Sequence, residues 1–311
     1  MGIFTKNLYE LLQEETEQFL SHDGMRLHMH CWKPSDVPAS RVVLIVHGLG
    51  GHGAYYASSL APYLVPLGAM VYAPDLRGHG RSDGVRGDIE SFGELEGDVA
   101  AAASWVRNRH PNLPFYLLGE SMGTPLAILH AANSKPELKP DYLILAACVV
   151  APTITPRIDE ILRTAFYLAT NRRKPALPIT GREEQGIRDL EFIKVLKADV
   201  LFNKHVSVRF LLNMTKAMNR AAQSHHLLSM PTIILQGGKD ITVRHRPTRA
   251  FFHRIAATDK EMHVFPEAFH AILNDPDAPE VRKRIINWID RKESGNYQTN
   301  GMFTNHFQPF A

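Results

Sequence analysis

The stretch FYLLGESMGTPLAIL, from Phe115 to Leu129, consists of an apolar run, a Gly-Glu-Ser-Met-Gly segment and a second apolar run. This pattern predicts a strand that turns sharply into a helix, with Ser121 raised above the edge of a sheet. Such a turn strains the backbone and crowds the main chain, so it requires glycine two residues before and after the serine. Gly119 and Gly123 meet that requirement. The dipole of the following helix would point its positive end at Ser121, and we therefore predict that Ser121 is a nucleophile.

A second Gly-x-Ser-x-Gly segment, GRSDG at Gly80–Gly84, contains Ser82. Its surroundings, DLRGHGRSDGVRGD, are polar and rich in glycine, and no strand pattern directly precedes it. A nucleophile at such a turn needs a strand before it and a helix after it. We therefore predict that Ser82 lies in a structural loop.

Short apolar runs that end in turns alternate with longer helical patterns along the chain. Most are apolar throughout, as in strands covered on both faces. They are RVVLIVHG, AMVYAPD, FYLLGES, YLILAAC, TIILQGGKD and EMHVFPE. The alternation predicts an α/β protein with a mostly parallel central sheet flanked by helices. We expect the earlier run MRLHMHCWKP to add an antiparallel edge strand, and Ser91 and Glu94 have the spacing of a capping box at a helix start.

The alternation stops between Pro152 and Met230, where helical patterns occur without a convincing strand. A helical insertion of this size between two strands is typical of a lid or cap. We therefore predict an α/β core formed by residues 1–151 and 231–293 and a helical cap formed by residues 152–230. Residues 294–311 are polar and aperiodic, which predicts a flexible tail.

Composition excludes several function classes. The 311-residue chain is 44% hydrophobic and 22% charged, as in ordinary globular proteins, and its formal charge of +3 is too small to indicate nucleic-acid binding. No apolar run reaches membrane-spanning length, and the first residues do not resemble a secretory signal. The two cysteines fit a reducing compartment, so we predict a cytoplasmic protein. Since HExxH and paired CxxC motifs are absent from the sequence, we predict no metal site.

A serine nucleophile needs a histidine base that an acid orients, and in enzymes with this type of turn the chain order is serine, acid, histidine. Asp240 follows the predicted strand TIILQGG and is preferred to Asp159, which lies in a helical pattern. His270, in PEAFHAIL between the last strand and the last helix, is the preferred base. The histidines that are less well placed are His245, too close to the acid, His253 in a helix, His263 in a strand and His306 in the tail.

A serine that attacks a carbonyl also needs backbone donors for the oxyanion. One predicted donor is the N–H of Met122, which follows the nucleophile. The loop HGLGGHGAYY after the third strand offers a second donor, which we assign to the N–H of Leu49. The alternative for this loop is a plain glycine-rich turn.

Taken in order, these segments resemble the α/β-hydrolase superfamily and, within it, the monoacylglycerol lipase and lysophospholipase branch. The resemblance runs from about Gly24 to Ile289 and rests on LHMHCWKP, HGLGGHGAYY, PDLRGHGRSDG, GESMG, QGGKD and FPEAFHAIL. It implies a helical cap over an acyl-binding channel and no cofactor. Three positions depart from the family pattern: Glu120 replaces a common histidine, Thr124 a frequent glycine and Leu49 a usual alanine.

The sequence thus predicts a serine esterase that hydrolyses a monoacylglycerol or lysophospholipid through an acyl-enzyme. The segment from Ile161 to Ala169 would form an apolar wall for the acyl chain, and the cap would allow transient contact with a membrane surface. Two alternatives remain open. An acyltransferase would pass the acyl group to another alcohol, and HAILND has the His-x4-Asp spacing of glycerolipid acyltransferases, although their fold is different. A ligand-binding protein would use the same scaffold without catalysis.

Overall fold

The computed structural model describes residues 14–151, 158–181, 183–243 and 245–294. A central sheet of eight strands contains β1 (Glu14–Leu20), β2 (Arg26–Trp32), β3 (Arg41–Val46), β4 (Ala69–Asp75), β5 (Phe115–Glu120), β6 (Tyr142–Ala146), β9 (Thr232–Gly237) and β10 (Lys260–Phe265). Their order across the sheet is β1-β2-β4-β3-β5-β6-β9-β10. The six strands from β4 to β10 pair in parallel. The predicted mostly parallel sheet is confirmed.

The strand β2 pairs antiparallel with β4, as predicted, but it does not lie at the edge of the sheet. The edge belongs to β1, which pairs antiparallel with β2 from Glu14 to Leu20. Its sequence, EETEQFL, is mostly polar and exposed, and charged side chains are common on edge strands because they discourage pairing with other chains. An apolar pattern could not reveal this strand.

Helices cover both faces of the sheet. They are α1 (Gly53–Ala57), α2 (Ala61–Leu64), α3 (Phe92–Arg109), α4 (Gly123–Asn133), α5 (Ile158–Ala169), α6 (Glu183–Gly186), α7 (Leu190–Ala198), α8 (Val208–Gln223), α9 (His245–Arg254) and α10 (Ala278–Glu293). Along β3, Val42, Leu44 and Val46 join an apolar cluster shared with α3, α4 and α8. The alternate residues Val43 and Ile45 join a second cluster shared with α1, α2 and α10. Successive strand residues point to opposite faces, so each face of the sheet has its own apolar core.

The predicted start of α3 at Ser91 is correct, but the capping box does not form. The Ser91 side chain accepts no capping hydrogen bond. Instead, Glu94 Oε2 accepts a hydrogen bond of 2.9 Å from the backbone N–H of Glu90. The glutamate therefore reaches one residue further back than the pattern predicts.

Between β6 and β9 the chain forms α5 to α8 and a second, two-stranded sheet of β7 (Leu177–Pro178) and β8 (His205–Val206). The expectation that this segment lacks strands is therefore wrong for one pair of two-residue strands. We call residues 158–230 the cap; the predicted division into core and cap stays a prediction, and residues 152–157 lie outside the described residues, as does the tail from 295 to 311.

In the described part of the chain, no helix is both long and apolar enough to cross a bilayer. Cys31 and Cys148 are buried free thiols. The predicted cytoplasmic location stays a prediction.

Candidate active site

The turn between β5 and α4 carries Ser121 with a φ of 52°, in the left-handed region that side chains other than glycine rarely adopt. A Cβ atom on Gly119 would lie 2.4 Å from the carbonyl oxygen of Gly123. A Cβ atom on Gly123 would lie 2.0 Å from the carbonyl oxygen of Val46. Both distances are far below the van der Waals contact distance, so a side chain at either glycine would displace the main chain. The predicted reason for the two glycines is confirmed.

The structure brings Ser121, Asp240 and His270 together at the carboxyl edge of the sheet. They follow β5, β9 and β10, which point the same way because the central strands are parallel. Ser121 Oγ lies 2.8 Å from His270 Nε2, and His270 Nδ1 lies 2.8 Å from Asp240 Oδ2. An ionised carboxylate only accepts, so Nδ1 carries the proton and Nε2 is left to accept from the serine hydroxyl. This arrangement can remove the hydroxyl proton.

The carboxylate of Asp240 is buried and held from several sides. Oδ1 accepts hydrogen bonds of 2.8 and 2.9 Å from the backbone N–H groups of Thr242 and Val243. Oδ2 accepts a hydrogen bond of 2.9 Å from Gln236 Nε2 in addition to that from His270. These contacts fix the acid against the imidazole. The other candidate acid, Asp159, lies in the first turn of α5.

The predicted oxyanion loop passes directly beside the serine. A Cβ atom on Gly48 would lie 3.1 Å from Ser121 Cβ and 2.5 Å from the hydroxyl oxygen of Tyr56. His47 fixes the loop: its Nδ1–H donates to the carbonyl of Gly48 at 2.9 Å, and its Nε2 accepts from the N–H of Leu76 at 3.1 Å. Burial, assisted by the neighbouring His79, lowers the pKa of His47 to about 3, so the ring stays neutral.

The two predicted oxyanion donors are the chain neighbours of Gly48 and Ser121. Leu49 follows Gly48 in the loop, and Met122 follows Ser121 and is buried at the start of α4. Their backbone N–H groups belong to the two segments that meet at the serine. The donor role of each stays a prediction.

Glu120 and Thr124 depart from the family pattern, and the sequence assigned neither a role. Burial raises the pKa of Glu120 to about 8, partly offset by a hydrogen bond with the backbone of Leu273, so this carboxyl is mostly neutral at pH 7. A neutral group beside the nucleophile adds no repulsion to a developing oxyanion. Thr124 Oγ1 donates to the carbonyl of Ser121 at 2.7 Å and accepts from the N–H of Val149 at 2.8 Å. It therefore ties the turn to the segment after β6.

Ser82 occupies the structural position that the sequence predicts. Its Oγ donates to the backbone carbonyl of Asp75 at 2.6 Å and accepts from the N–H of His28 at 2.8 Å. The hydroxyl thus joins β4 to β2, and the interpretation as a structural residue is confirmed.

Among the described residues, the side chains with the types and spacing of metal ligands are His28, His30 and Asp75, whose ligand atoms lie within 4.8 Å of one another. Burial would lower the pKa of His30, but hydrogen bonds to Asp75 and Glu14 outweigh it and raise that pKa to about 9. The protonated ring donates to Glu14 at 2.5 Å and to Asp75 at 3.1 Å. Both ring nitrogens are therefore satisfied by carboxylates. The expectation of no metal site stays a prediction.

The cap packs against the oxyanion loop. A Cβ atom on Gly50 would lie 2.7 Å from the side chain of Ile179 and 2.8 Å from that of Phe202. The backbone N–H of Asn203 donates to the carbonyl of Gly50 at 2.8 Å. The cap therefore reaches the edge of the sheet where Ser121 lies.

The predicted apolar wall from Ile161 to Ala169 stays a prediction, and several of its apolar side chains are exposed. Ile161, Leu162 and Phe166 are 51%, 65% and 60% exposed. The helix α5 turns a different side toward the core, where Tyr167 is partly buried. The outward face of α5 is therefore apolar and faces solvent.

Comparison with known proteins agrees with this geometry. The Hydrolase_4 family model, described as serine aminopeptidase S33, matches residues 37–277. A monoacylglycerol lipase of Mycolicibacterium smegmatis is 27% identical over 277 residues, covering 87% of this chain and 95% of that protein. A monoglyceride lipase homolog of monkeypox virus is 29% identical over 269 residues, covering 86% of this chain and 94% of that protein. The crystal structure of a soluble variant of monoglyceride lipase from Saccharomyces cerevisiae, with a substrate analog, matches 90% of this chain and 95% of its own at a TM-score of 0.77 and 18% identity.

Proposed function

Because this chain belongs to the Hydrolase_4 family and is an ester hydrolase with the α/β-hydrolase fold, we propose that it cleaves the carboxylic ester of a monoacyl lipid, a monoacylglycerol or a lysophospholipid. The observation that carries the proposal is the hydrogen-bonded series from Ser121 through His270 to Asp240, with both distances at 2.8 Å. The names of the monoacylglycerol lipase and the monoglyceride lipase homolog reported above support an ester with one acyl chain.

The proposed reaction has two halves. Ser121 Oγ attacks the ester carbonyl while His270 Nε2 takes the hydroxyl proton, and the same imidazole then returns that proton to the leaving alcohol. The acyl group remains on Ser121. Water, deprotonated by His270, attacks this acyl-enzyme, and the serine regains its proton as the fatty acid leaves. Asp240 holds the tautomer throughout and stabilises the imidazolium.

The N–H groups of Leu49 and Met122 would stabilise the oxyanion in both halves. Each such donor typically lowers the barrier by about 3 kcal/mol. Ser121 supplies the nucleophile, His270 the base, and the two N–H groups the electrostatic site. Together they suffice for ester hydrolysis, so we propose that no cofactor is needed.

An activity screen tests the substrate class. We expect faster release of fatty acid from monoacylglycerols and lysophospholipids than from diacyl phospholipids. Added glycerol or lysophospholipid separates hydrolysis from acyl transfer, because a transferase would give a new ester instead of free acid. An aminoacyl p-nitroanilide tests the peptidase activity in the family's description. A preference for the anilide, or dominant transfer to the added alcohol, would contradict the proposal.

We also propose that the cap contacts a membrane surface transiently, since the monoacyl lipid substrates proposed for this protein would reside in membranes. The exposed face of α5 supports this: Ile158, Leu162 and Phe166 are four residues apart, so they share one side of the helix, and they are 78%, 65% and 60% exposed. Exposed apolar residues on one helix face are typical of interfacial helices.

Replacing both Leu162 and Phe166 by glutamate is expected to lower the affinity for phosphatidylcholine vesicles at least about tenfold, as measured by cosedimentation. The reason is that each apolar side chain gains about 1.5–3 kcal/mol on burial in apolar surroundings. Turnover of water-soluble p-nitrophenyl butyrate should not change. Val85→Glu is the matched control, since Val85 is also 63% exposed but lies outside the cap. Equal binding of both variants, or no binding by the unmodified protein, would reject membrane contact through α5.

A further inference from the structure

The loop that carries His270 runs from residue 266 to 277, between β10 and α10, and contains no helix or strand. Its peptide groups have no partners from a regular ladder, so other contacts must fix them. The position of the imidazole depends on the backbone immediately on each side of His270. The contacts of Phe269 and Ala271 are therefore the ones that place the base.

The N–H of Phe269 donates to Asp275 Oδ2 at 3.0 Å. The other carboxylate oxygen, Oδ1, accepts from the N–H of Asp277 at 3.0 Å and from the guanidinium of Arg188 at 2.6 Å. Only 2% of the Asp275 side chain is exposed. A carboxylate this buried stays charged at modest cost only with a cation and hydrogen-bond donors around it, and Arg188 supplies the cation.

The N–H of Ala271 donates to the carbonyl of Gly186 at 2.9 Å. A Cβ atom on Gly186 would lie 3.6 Å from His270 Cβ, so the two segments are in direct contact. Gly186 ends α6, and Arg188 lies two residues later, before α7. One short segment of the cap therefore holds the backbone on both sides of His270, directly at Ala271 and through Asp275 at Phe269.

We propose that Arg188 is a positioning residue for His270, acting through Asp275, so that the cap places the base of the reaction. The inference rests on the proposed function, in which His270 takes the proton of Ser121. It also gives Asp275 of the HAILND segment a role: the His-x4-Asp spacing lets one carboxylate bind the backbone next to the histidine.

The test compares Arg188→Gln, Arg188→Lys and Arg220→Gln. We would measure the labelling rate of Ser121 by a fluorophosphonate, kcat and KM for p-nitrophenyl butyrate, and the melting temperature. Arg188→Gln should lower the labelling rate and kcat by about 10- to 100-fold with little change in KM, because a small displacement of a catalytic group costs this much. Arg188→Lys keeps the cation and should restore much of the loss. Arg220 pairs with Glu96 at 2.6 Å and joins the cap to α3 away from His270, so Arg220→Gln should label as the unmodified protein does.

Asp275→Asn provides an independent check, because it removes the nearer of the two carboxylate charges that Arg188 pairs with, at 2.6 Å, and leaves that of Asp277 at 3.3 Å. If both residues act through one contact, the double variant should be no slower than the slower single variant. Normal labelling by Arg188→Gln would overturn the inference, as would a loss that follows the melting temperature and that lysine does not restore. Either result leaves the proposed function standing as long as Ser121→Ala is inactive. An active Ser121→Ala variant would remove the proposed function itself.

Discussion

Ser121→Ala is expected to abolish ester hydrolysis, with kcat lowered on the order of 10⁴- to 10⁶-fold. The variant removes the oxygen that would form the acyl-enzyme and whose proton His270 Nε2, 2.8 Å away, would take. The fold should persist, because alanine differs from serine at this site only by the missing hydroxyl. Initial rates on a monoacylglycerol, together with the melting temperature, measure both effects.

Ser82→Ala is the matched control, since Ser82 lies in the other Gly-x-Ser-x-Gly segment. Its hydroxyl makes two backbone hydrogen bonds between β2 and β4. Removing it should lower the free energy of unfolding by about 1–3 kcal/mol, because two buried backbone groups lose a partner. Its kcat should stay close to normal. An active Ser121→Ala variant, or a folded but inactive Ser82→Ala variant, would mean that the nucleophile is assigned wrongly.

The variant Ser121→Gly tests whether the backbone at residue 121 is strained. Ser121 has a φ of 52°, which costs a residue with a side chain roughly 1–2 kcal/mol. Ser121→Gly should therefore be inactive and yet as stable as Ser121→Ala or more so. The strain at this turn thus serves the position of the hydroxyl and not the stability of the fold.

The positions of Ser121, Asp240 and His270 could be predicted because each follows a strand that its own sequence reveals. In a parallel sheet the carboxyl ends meet at one edge, so three separate chain positions become neighbours once the strands are recognised. The glycines at 119 and 123 add a steric requirement that is visible in the letters. Periodicity and turn residues can be recognised locally in the sequence, and the parallel sheet then places the residues that follow these strands close together.

Other features depend on contacts that no local pattern encodes. Arg188 and Asp275 are separated by 87 positions, and nothing near either residue indicates that they pair. The helical period of α5 shows that Ile158, Leu162 and Phe166 share a face, but it does not show whether that face looks toward the sheet or toward solvent. The sequence therefore predicted the helix correctly, but it could not show that this apolar face is exposed.

Asp240→Asn is expected to lower kcat by about 10⁴-fold while leaving the protein folded. The asparagine oxygen can keep the hydrogen bonds from the N–H groups of Thr242 and Val243, which now bind Oδ1 at 2.8 and 2.9 Å. Its amide group then replaces Oδ2 and donates to His270 Nδ1. The imidazole proton must move to Nε2, which faces Ser121, so the ring can no longer accept the serine proton.

The surroundings of Asp240 can accommodate this change. Gln236 Nε2 now donates to Oδ2, whereas Gln236 Oε1 is buried without a hydrogen-bond partner. A flip of the Gln236 amide would present that oxygen to the new Asn amide, so a donor–acceptor pair is regained and the loss should be confined to catalysis. The melting temperature should therefore change by only a few degrees, while the rate of fluorophosphonate labelling falls with kcat.

Asp159→Asn is the matched control for this experiment, because Asp159 is the alternative acid that the sequence analysis weighed against Asp240. It lies in the first turn of α5, and its replacement should leave kcat unchanged. Loss of activity in Asp159→Asn with normal turnover in Asp240→Asn would show that the acid was assigned wrongly. Normal turnover by both variants would show that His270 needs no acid to hold its tautomer, and the contacts that fix its loop would then have to orient the ring alone.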